Sequence, residues 1–279
     1  FGVAGDVGLI APGRFADIVL VEDLASFAVE AVVARGRWAV RAGRLLLDVP
    51  RFSYPPDVRA SVHLARPLTS DDFRIGVPGA SPVQVNVIGV IENQAPTEHL
   101  TAQVVPVGGE VRADPSADLA KVALVERHRG TGQIVLGLVR GFGFGPGCAV
   151  GSTVAHDSHH LIVVGTDDSA MALAASELAR VGGGQVVIRQ GEVIGRVELP
   201  IGGLMSDEPA EVVADKAEAV LQGMRACGCR LNNANMQLSL LALVVIPQLR
   251  ISDKGLVDVE RFEVIPLVQP RGGDVDVAR

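Results

Sequence analysis

The sequence predicts an α+β fold: the C-terminal part of a small β-sandwich, followed by a mixed α+β domain of antiparallel strands with a few helices. Three observations carry this expectation. Short apolar runs rich in Val, Ile and Leu recur between Gly, Pro and Asp, as strands do. Apolar residues repeat at helical spacing in only a few stretches. Strand-like and helical stretches do not alternate regularly, as a doubly wound sheet would require.

The chain opens on small strands. Residues 8–22 read GLIAPGRFADIVLVE, with a turn at Pro12-Gly13 and a short strand at 16–21 entered through Asp17, which caps or turns the chain. AVVARG, RWAVRAG and RLLLD follow as three strand-like pieces punctuated by Gly36 and Gly43. The sheet ends near Val49, and RFSYPPDVRA (51–60) reads as a linker. This divides the chain into residues 1–60, the sandwich part and linker, and residues 61–279.

Beyond the linker, VQVNVIGVI (83–91) shows the partial alternation of a half-buried strand, and AQVVPVGGEVRA (102–113) reads as a hairpin around Gly108-Gly109. LAKVALVERH (119–128) is an apolar strand whose charged end, Glu126-Arg127-His128, reads on its own as exposed. GLVRGFGFGPG (137–147) lacks the Gly-Lys-Ser/Thr ending of a phosphate loop and the spacing of a dinucleotide fingerprint, so it reads as a sharply bending backbone.

Asp167 or Asp168 can cap a helix over SAMALAASELARV, which Gly182 to Gly184 stop. QVVIR-QG-EVIGRVEL (185–199) is a hairpin with Gln190-Gly191 at its turn. LPIGGLMSDEP (199–209) is a loop in which Ser206 or Asp207 caps the next helix, 209–226, whose Val213, Ala217, Val220 and Met224 face the core. Residues 231–259 form an apolar helix or strand and then a polar turn at 252–255, and the tail from Gln269 is expected to be disordered.

Composition excludes several classes. With 48% apolar and 20% charged residues the chain is globular, and at 4% aromatics its core must be aliphatic. Lys plus Arg number 25 against 32 for Asp plus Glu, a net charge of −7 that argues against a nucleic-acid partner. The longest apolar run, Leu238 to Ile246, falls far short of a bilayer span, so no membrane partner is expected. Three cysteines form no disulfide framework, which fits a reducing cytoplasmic setting.

The densest chemistry lies in GSTVAHDSHHLIVVG (151–165), where His156, Asp157, His159 and His160 fall within five consecutive positions beside an apolar strand. Imidazoles move protons and bind metals near neutral pH. On an extended segment, side chains 157 and 159 would share one face and 156 and 160 the other. On a tight turn, 156 and 159 would converge.

Several long stretches together resemble the C-terminal domain of bacterial-type adenine deaminases: DLAKVALVERHRGTGQIVLGLVRGFGF, VAHDSHHLIVVGTDDSAM, GGGQVVIRQGEV, LPIGGLMSDEP and LSLLALVVIPQLRISDKGLVDV. The resemblance runs from about Arg66 to Leu267. Gly8, Ile10, Gly13, Ala16, Asp17, Ile18 and Val19 also match the segment that follows the catalytic barrel in the amidohydrolase superfamily. The resemblance implies hydrolysis of adenine to hypoxanthine and ammonia, with manganese or iron held by a barrel. That barrel's His-x-His ligand pair is not found in this sequence, so none of the metal ligands is expected here. At His160 the family usually carries Asn.

The resemblance makes His156, Asp157 and His159 the candidates for a catalytic part, with Asp157 orienting an imidazole. Arg127 and His128 are candidate substrate contacts on the same surface. Three roles for the cluster stay open: direct participation, ordering of the loop, and a separate metal site. Met205-Ser206-Asp207-Glu208 reads as a helix cap, or as a lid. The expected partners are adenine, the missing barrel and further copies of the chain. The alternative is a ligand-binding or oligomerisation module that keeps the fold without deaminase activity.

Overall fold

Two tight left-handed turns shape the first part of the chain. In the computed structural model, which describes residues 1–50, 52–59 and 61–270, the chain forms two compact units, Phe1–Ser53 and Tyr54–Arg279. The first unit is a four-stranded antiparallel meander of β1 (Ile18–Val21), β2 (Val29–Ala34), β3 (Arg37–Arg41) and β4 (Arg44–Leu45). Arg35-Gly36 and Ala42-Gly43 turn the chain with all four φ angles positive, the conformation that joins tightly paired strands. The Asp17 carboxylate accepts the Arg35 N–H at 2.6 Å and pins the first of these turns.

The second unit is built on an eight-stranded sheet. Its elements in chain order are α1 (Pro56–Arg59), β5 (Ile75–Gly76), β6 (Val83–Val90), β7 (Thr97–Val104), β8 (Glu110–Val111), β9 (Leu119–Val125), β10 (Ile134–Arg140), β11 (Cys148–Ser152), β12 (Leu161–Gly165), α2 (Asp168–Val181), β13 (Gly184–Arg189), β14 (Glu192–Glu198), α3 (Ala210–Ala226), α4 (Ala234–Leu240), β15 (Leu249–Ser252), β16 (Gly255–Asp258) and β17 (Glu263–Ile265). The main sheet runs β14-β13-β11-β12-β9-β10-β6-β7. Its pairs are antiparallel except β6 with β10.

Strand alternation sends two sets of side chains to opposite faces. Ala123, Val125, Ala149, Leu161, Val163, Val186 and Ile188 share a core with Met171, Ala174, Ala175 and Leu178 of α2. Val122, Leu124, Val150, Ile162, Val164 and Val187 share another with Val220 and Met224 of α3, Leu238 of α4, and Leu249 and Ile251 of β15. Both faces are therefore covered, and β9, β11 and β12 are buried at every position. That is why their sequences read as unbroken apolar runs. The helix approach is close: a Cβ on Gly165 would lie 2.6 Å from Met171 Cγ.

Local signals were accurate where turn chemistry is strong. Asp167 caps α2 by accepting the Ala170 N–H, and Gly182 ends it in the left-handed region. Gln190 and Gly191, both at positive φ, close the β13–β14 hairpin. Three expectations need correction. Residues 102–113 are not a hairpin: β7 pairs along its length with β6, while β8 pairs with β5, and Gly108-Gly109 only turns the chain between them. α3 starts after Pro209, which has no side-chain acceptor and so leaves the helix uncapped; Ser206 Oγ instead accepts the Glu208 N–H and Asp207 pairs with Arg59. β6 is not half-buried; nearly all of it is buried. Of the tail, residues 271–279 lie outside the described residues. Among the described residues no helix is long and apolar enough to cross a membrane.

Candidate functional site

Register brings the two charged sequences together. Leu161 of β12 pairs with Val125 of β9, so residues just before Leu161 and just after Val125 emerge at the same end of the sheet. Residues 155–160 form a tight turn there. The His159 N–H donates to Ala155 O at 2.6 Å, and the Ala155 N–H donates to His159 Nδ1 at 3.2 Å. As a result His156 and His159 converge edge to face, their ring centroids 5.2 Å apart, which is the tight-turn alternative. Both rings are half-buried and Asp157 is exposed.

The second ring pair joins the two segments. His128 Nε2 donates to Ser158 O at 2.7 Å, and the His128 ring lies 4.9 Å from that of His160. His160 is buried, and its Nδ1 has no hydrogen-bond partner within the protein. Burial first, and then the charge of His128, lowers the His160 pKa. Burial, then His156 and Arg127, does the same for His159. Because His159 Nδ1 accepts a backbone N–H, the neutral ring carries its proton on Nε2. In that form the ring donates a hydrogen bond from Nε2, while its accepting nitrogen is already engaged.

The trio 126–128 is not an exposed strand end. Glu126 and Arg127 are buried, and only His128 is exposed. The structure places Arg127, expected as a substrate contact, with every guanidinium nitrogen donating to a carbonyl of the chain itself. Nε reaches His159 O at 2.6 Å, Nη1 reaches Ser61 O at 2.7 Å and Nη2 reaches Gly202 O at 3.0 Å. Glu126 accepts the N–H groups of His128, Arg129 and Thr131 and the Thr131 hydroxyl, shaping the loop into β10. Burial pushes its carboxyl up, but those hydrogen bonds outweigh burial and hold it at about 2.

A third wall comes from the loop after β14. Thr153 donates its hydroxyl to Gly203 O at 2.6 Å, the Gly202 N–H donates to Val58 O, and the His156 N–H donates to Ser239 O of α4. Sequence reading missed Thr153, Ser61, Gly202 and Ser239, because their contribution is made through backbone groups or one hydroxyl. Only the Gly-Gly pair carried a signal: a Cβ on Gly203 would lie 2.9 Å from the Arg127 guanidinium. Met205 lies exposed on the same loop, and Asp207 beyond it is tied to Arg59.

Two chemistries fit poorly. Among the described residues no three His, Cys, Asp or Glu side chains are grouped to hold a metal ion. His159 Nδ1 and His128 Nε2 are each engaged with backbone groups, so they do not turn toward a shared ion. The glycine-rich loop is also spent. Its Gly141 and Gly143 N–H groups donate to the Asp118 carboxylate, and that of Gly145 to Cys227 O.

Comparison with known proteins bears on this surface. A family model described as the adenine deaminase C-terminal domain matches residues 94–263, which include both the 126–128 and 155–160 segments. The adenine deaminase of Paracoccus denitrificans (strain Pd 1222) is 54% identical over 268 residues, covering 96% of this chain and 44% of that protein. Adenine deaminase 3 of Rhizobium meliloti (strain 1021) is 53% identical over 263 residues, 94% of this chain and 44% of that protein. The adenine deaminase of Moorella thermoacetica (strain ATCC 39073 / JCM 9320) is 52% identical over 269 residues, 96% and 45% respectively. The chain spans less than half the length of these curated relatives.

Proposed function

The chain belongs to the adenine deaminase family, and from that premise we propose that it acts as the C-terminal portion of an enzyme converting adenine and water to hypoxanthine and ammonia. In that reading it completes or covers a metal-bearing barrel that is not among these 279 residues. The observation that carries the reading is the turn 155–160, inside the family-matched region, where His156 and His159 meet at 5.2 Å. In this reading the manganese or iron that the family resemblance implies is held by the barrel.

Deamination forms a C6–O bond and breaks the C6–N bond, and the amine must gain a proton before it leaves as ammonia. His159 is placed to donate a hydrogen bond from Nε2 to the substrate, since its Nδ1 is already held by the Ala155 N–H. His156 is the neighbouring imidazole that would pass the proton to the departing amine, and Asp157, exposed beside it, would orient an imidazole. His128, at the rim, is the contact offered to the purine edge. On this proposal the protein works in the cytoplasm as a homo-oligomer.

The test is His159→Ala in the full-length enzyme. Turnover should fall at least about tenfold, with metal content and melting temperature preserved. Wild-type turnover in that variant would remove the catalytic assignment and leave the turn as an ordering element in a non-catalytic module.

A further inference from the structure

The Arg127 side chain is an unusual buried cation. It is 1% exposed, and no carboxylate touches its guanidinium. A buried charge without a counter-ion is costly unless its donors are all satisfied. Here each of the three nitrogens has a partner: carbonyls from three separate segments, at Ser61, His159 and Gly202, with the Ser61 hydroxyl as a second acceptor for Nη1. The Arg127 carbonyl in turn accepts the His63 N–H, which fastens the 61–63 segment a second time. Lysine could not reproduce this, because an ammonium is a point donor and cannot fork across three directions.

One of the three carbonyls belongs to a residue that needs holding. His159 sits at φ +50°, the left-handed region that non-glycine residues adopt at a cost. Three contacts keep it there: its N–H to Ala155 O, its Nδ1 from the Ala155 N–H, and its own carbonyl to Arg127 Nε. The first two are local to the turn. Of these three, only the third reaches outside the turn, and it alone links His159 itself to the 202 loop.

We propose that Arg127 is the positioning residue of the site: its three-way fork onto the Ser61, His159 and Gly202 carbonyls fixes His159 in the conformation that presents Nε2–H outward. The proposal rests on the reading of His159 as the hydrogen-bond donor to the substrate, and it replaces a substrate contact by Arg127 with an action exerted through another residue. Its positive charge also faces the His159 ring, together with His156 and Asp157 of the turn and His128 of the neighbouring loop. Burial and the cations among these groups favour the neutral ring, the form that offers a hydrogen bond from Nε2.

Histidine side-chain NMR on the 279-residue chain, joined to kinetics of the full-length enzyme, tests this. In the wild type, His159 should hold its proton on Nε2 and titrate below free imidazole. A proton on Nδ1, or an ordinary titration, overturns the proposal without any variant. In Arg127→Met the His159 titration should move up, and kcat should fall at least about tenfold with KM for adenine little changed. Arg127→Lys should not recover kcat, since it restores the charge without the fork. A rise in KM at constant kcat would make Arg127 a substrate contact instead. Full activity in Arg127→Lys, or a folded Arg127→Met with wild-type His159 behaviour, would also overturn the proposal. If His159→Ala leaves turnover intact, the functional reading fails, while the NMR result still decides whether Arg127 positions the ring.

Discussion

The two units of this chain solve the problem of burying a sheet very differently. In the unit Tyr54–Arg279, β9, β11 and β12 are buried at every position between α2 on one face and α3 and α4 on the other. In the unit Phe1–Ser53, the described residues that are buried are two alanines, Ala31 and Ala39. Leu24 is 85% exposed and Ile10 80%, and Phe15, Phe27, Trp38 and Phe52 are exposed as well. Each exposed side chain of that size forgoes about 1.5–3 kcal/mol of burial. A small sheet with so little core does not offset the entropy of ordering its own chain. The larger unit has a core of its own, while the smaller one is shaped mainly by turn chemistry.

The largest effect should separate the two directly. Leu161→Ala empties a fully buried position on a central strand of the large sheet and should cost about 2–5 kcal/mol, read by denaturant unfolding. Hydrogen exchange followed by mass spectrometry should show the same contrast in the wild type. Amides of β9 and β12 should exchange only through global opening, and those of β1 to β4 much sooner. Equal protection in the two units would break the comparison.

The next effect probes how the site is anchored to the stable unit. Glu126 is held at about 2, below its ordinary 4.5, by hydrogen bonds to its charged form. A depressed carboxyl contributes stability that is complete above its unfolded value and is lost as pH falls through its folded one. The acid limb between about 4.5 and 2 should therefore carry a term of up to about 3 kcal/mol. Glu126→Gln should remove that pH dependence and destabilise by about 1–3 kcal/mol at neutral pH. An unchanged acid limb in the variant would show that the loop is ordered by something other than this carboxylate. Asp167→Ala, which takes away the cap of α2, should cost about 1 kcal/mol.

What the sequence disclosed follows the same division. Strands and turns were readable wherever a local rule governs them, as at Asp167, Gln190-Gly191 and the apolar run of β12. The convergence of His156 and His159 was legible as one of two alternatives, and the turn geometry selects between them. Long-range pairing was not legible. Nothing local to residues 102–113 says that β7 turns back on β6 while β8 joins β5. Burial of Glu126 and Arg127 was hidden too, since a charged trio after a strand normally faces water. Their partners are mostly backbone groups from residues 61, 128, 129, 131, 159 and 202, and backbone groups leave no trace in the sequence.

The smallest change in stability should accompany the clearest change in association. Leu24 and Ile10 are exposed on the uncovered unit, so replacing them with Ser removes no packing and should alter unfolding by less than about 0.5 kcal/mol. The same replacements remove apolar surface that favours contact between copies, because patches of this kind act as interaction sites. The wild-type chain should therefore self-associate in light scattering, and Leu24→Ser with Ile10→Ser should shift it toward monomer while leaving the melting of the larger unit in place. A wild-type chain that is monomeric at high concentration would mean that its apolar residues cover one another in solution. In that case the contrast between the two units would be one of degree rather than of kind.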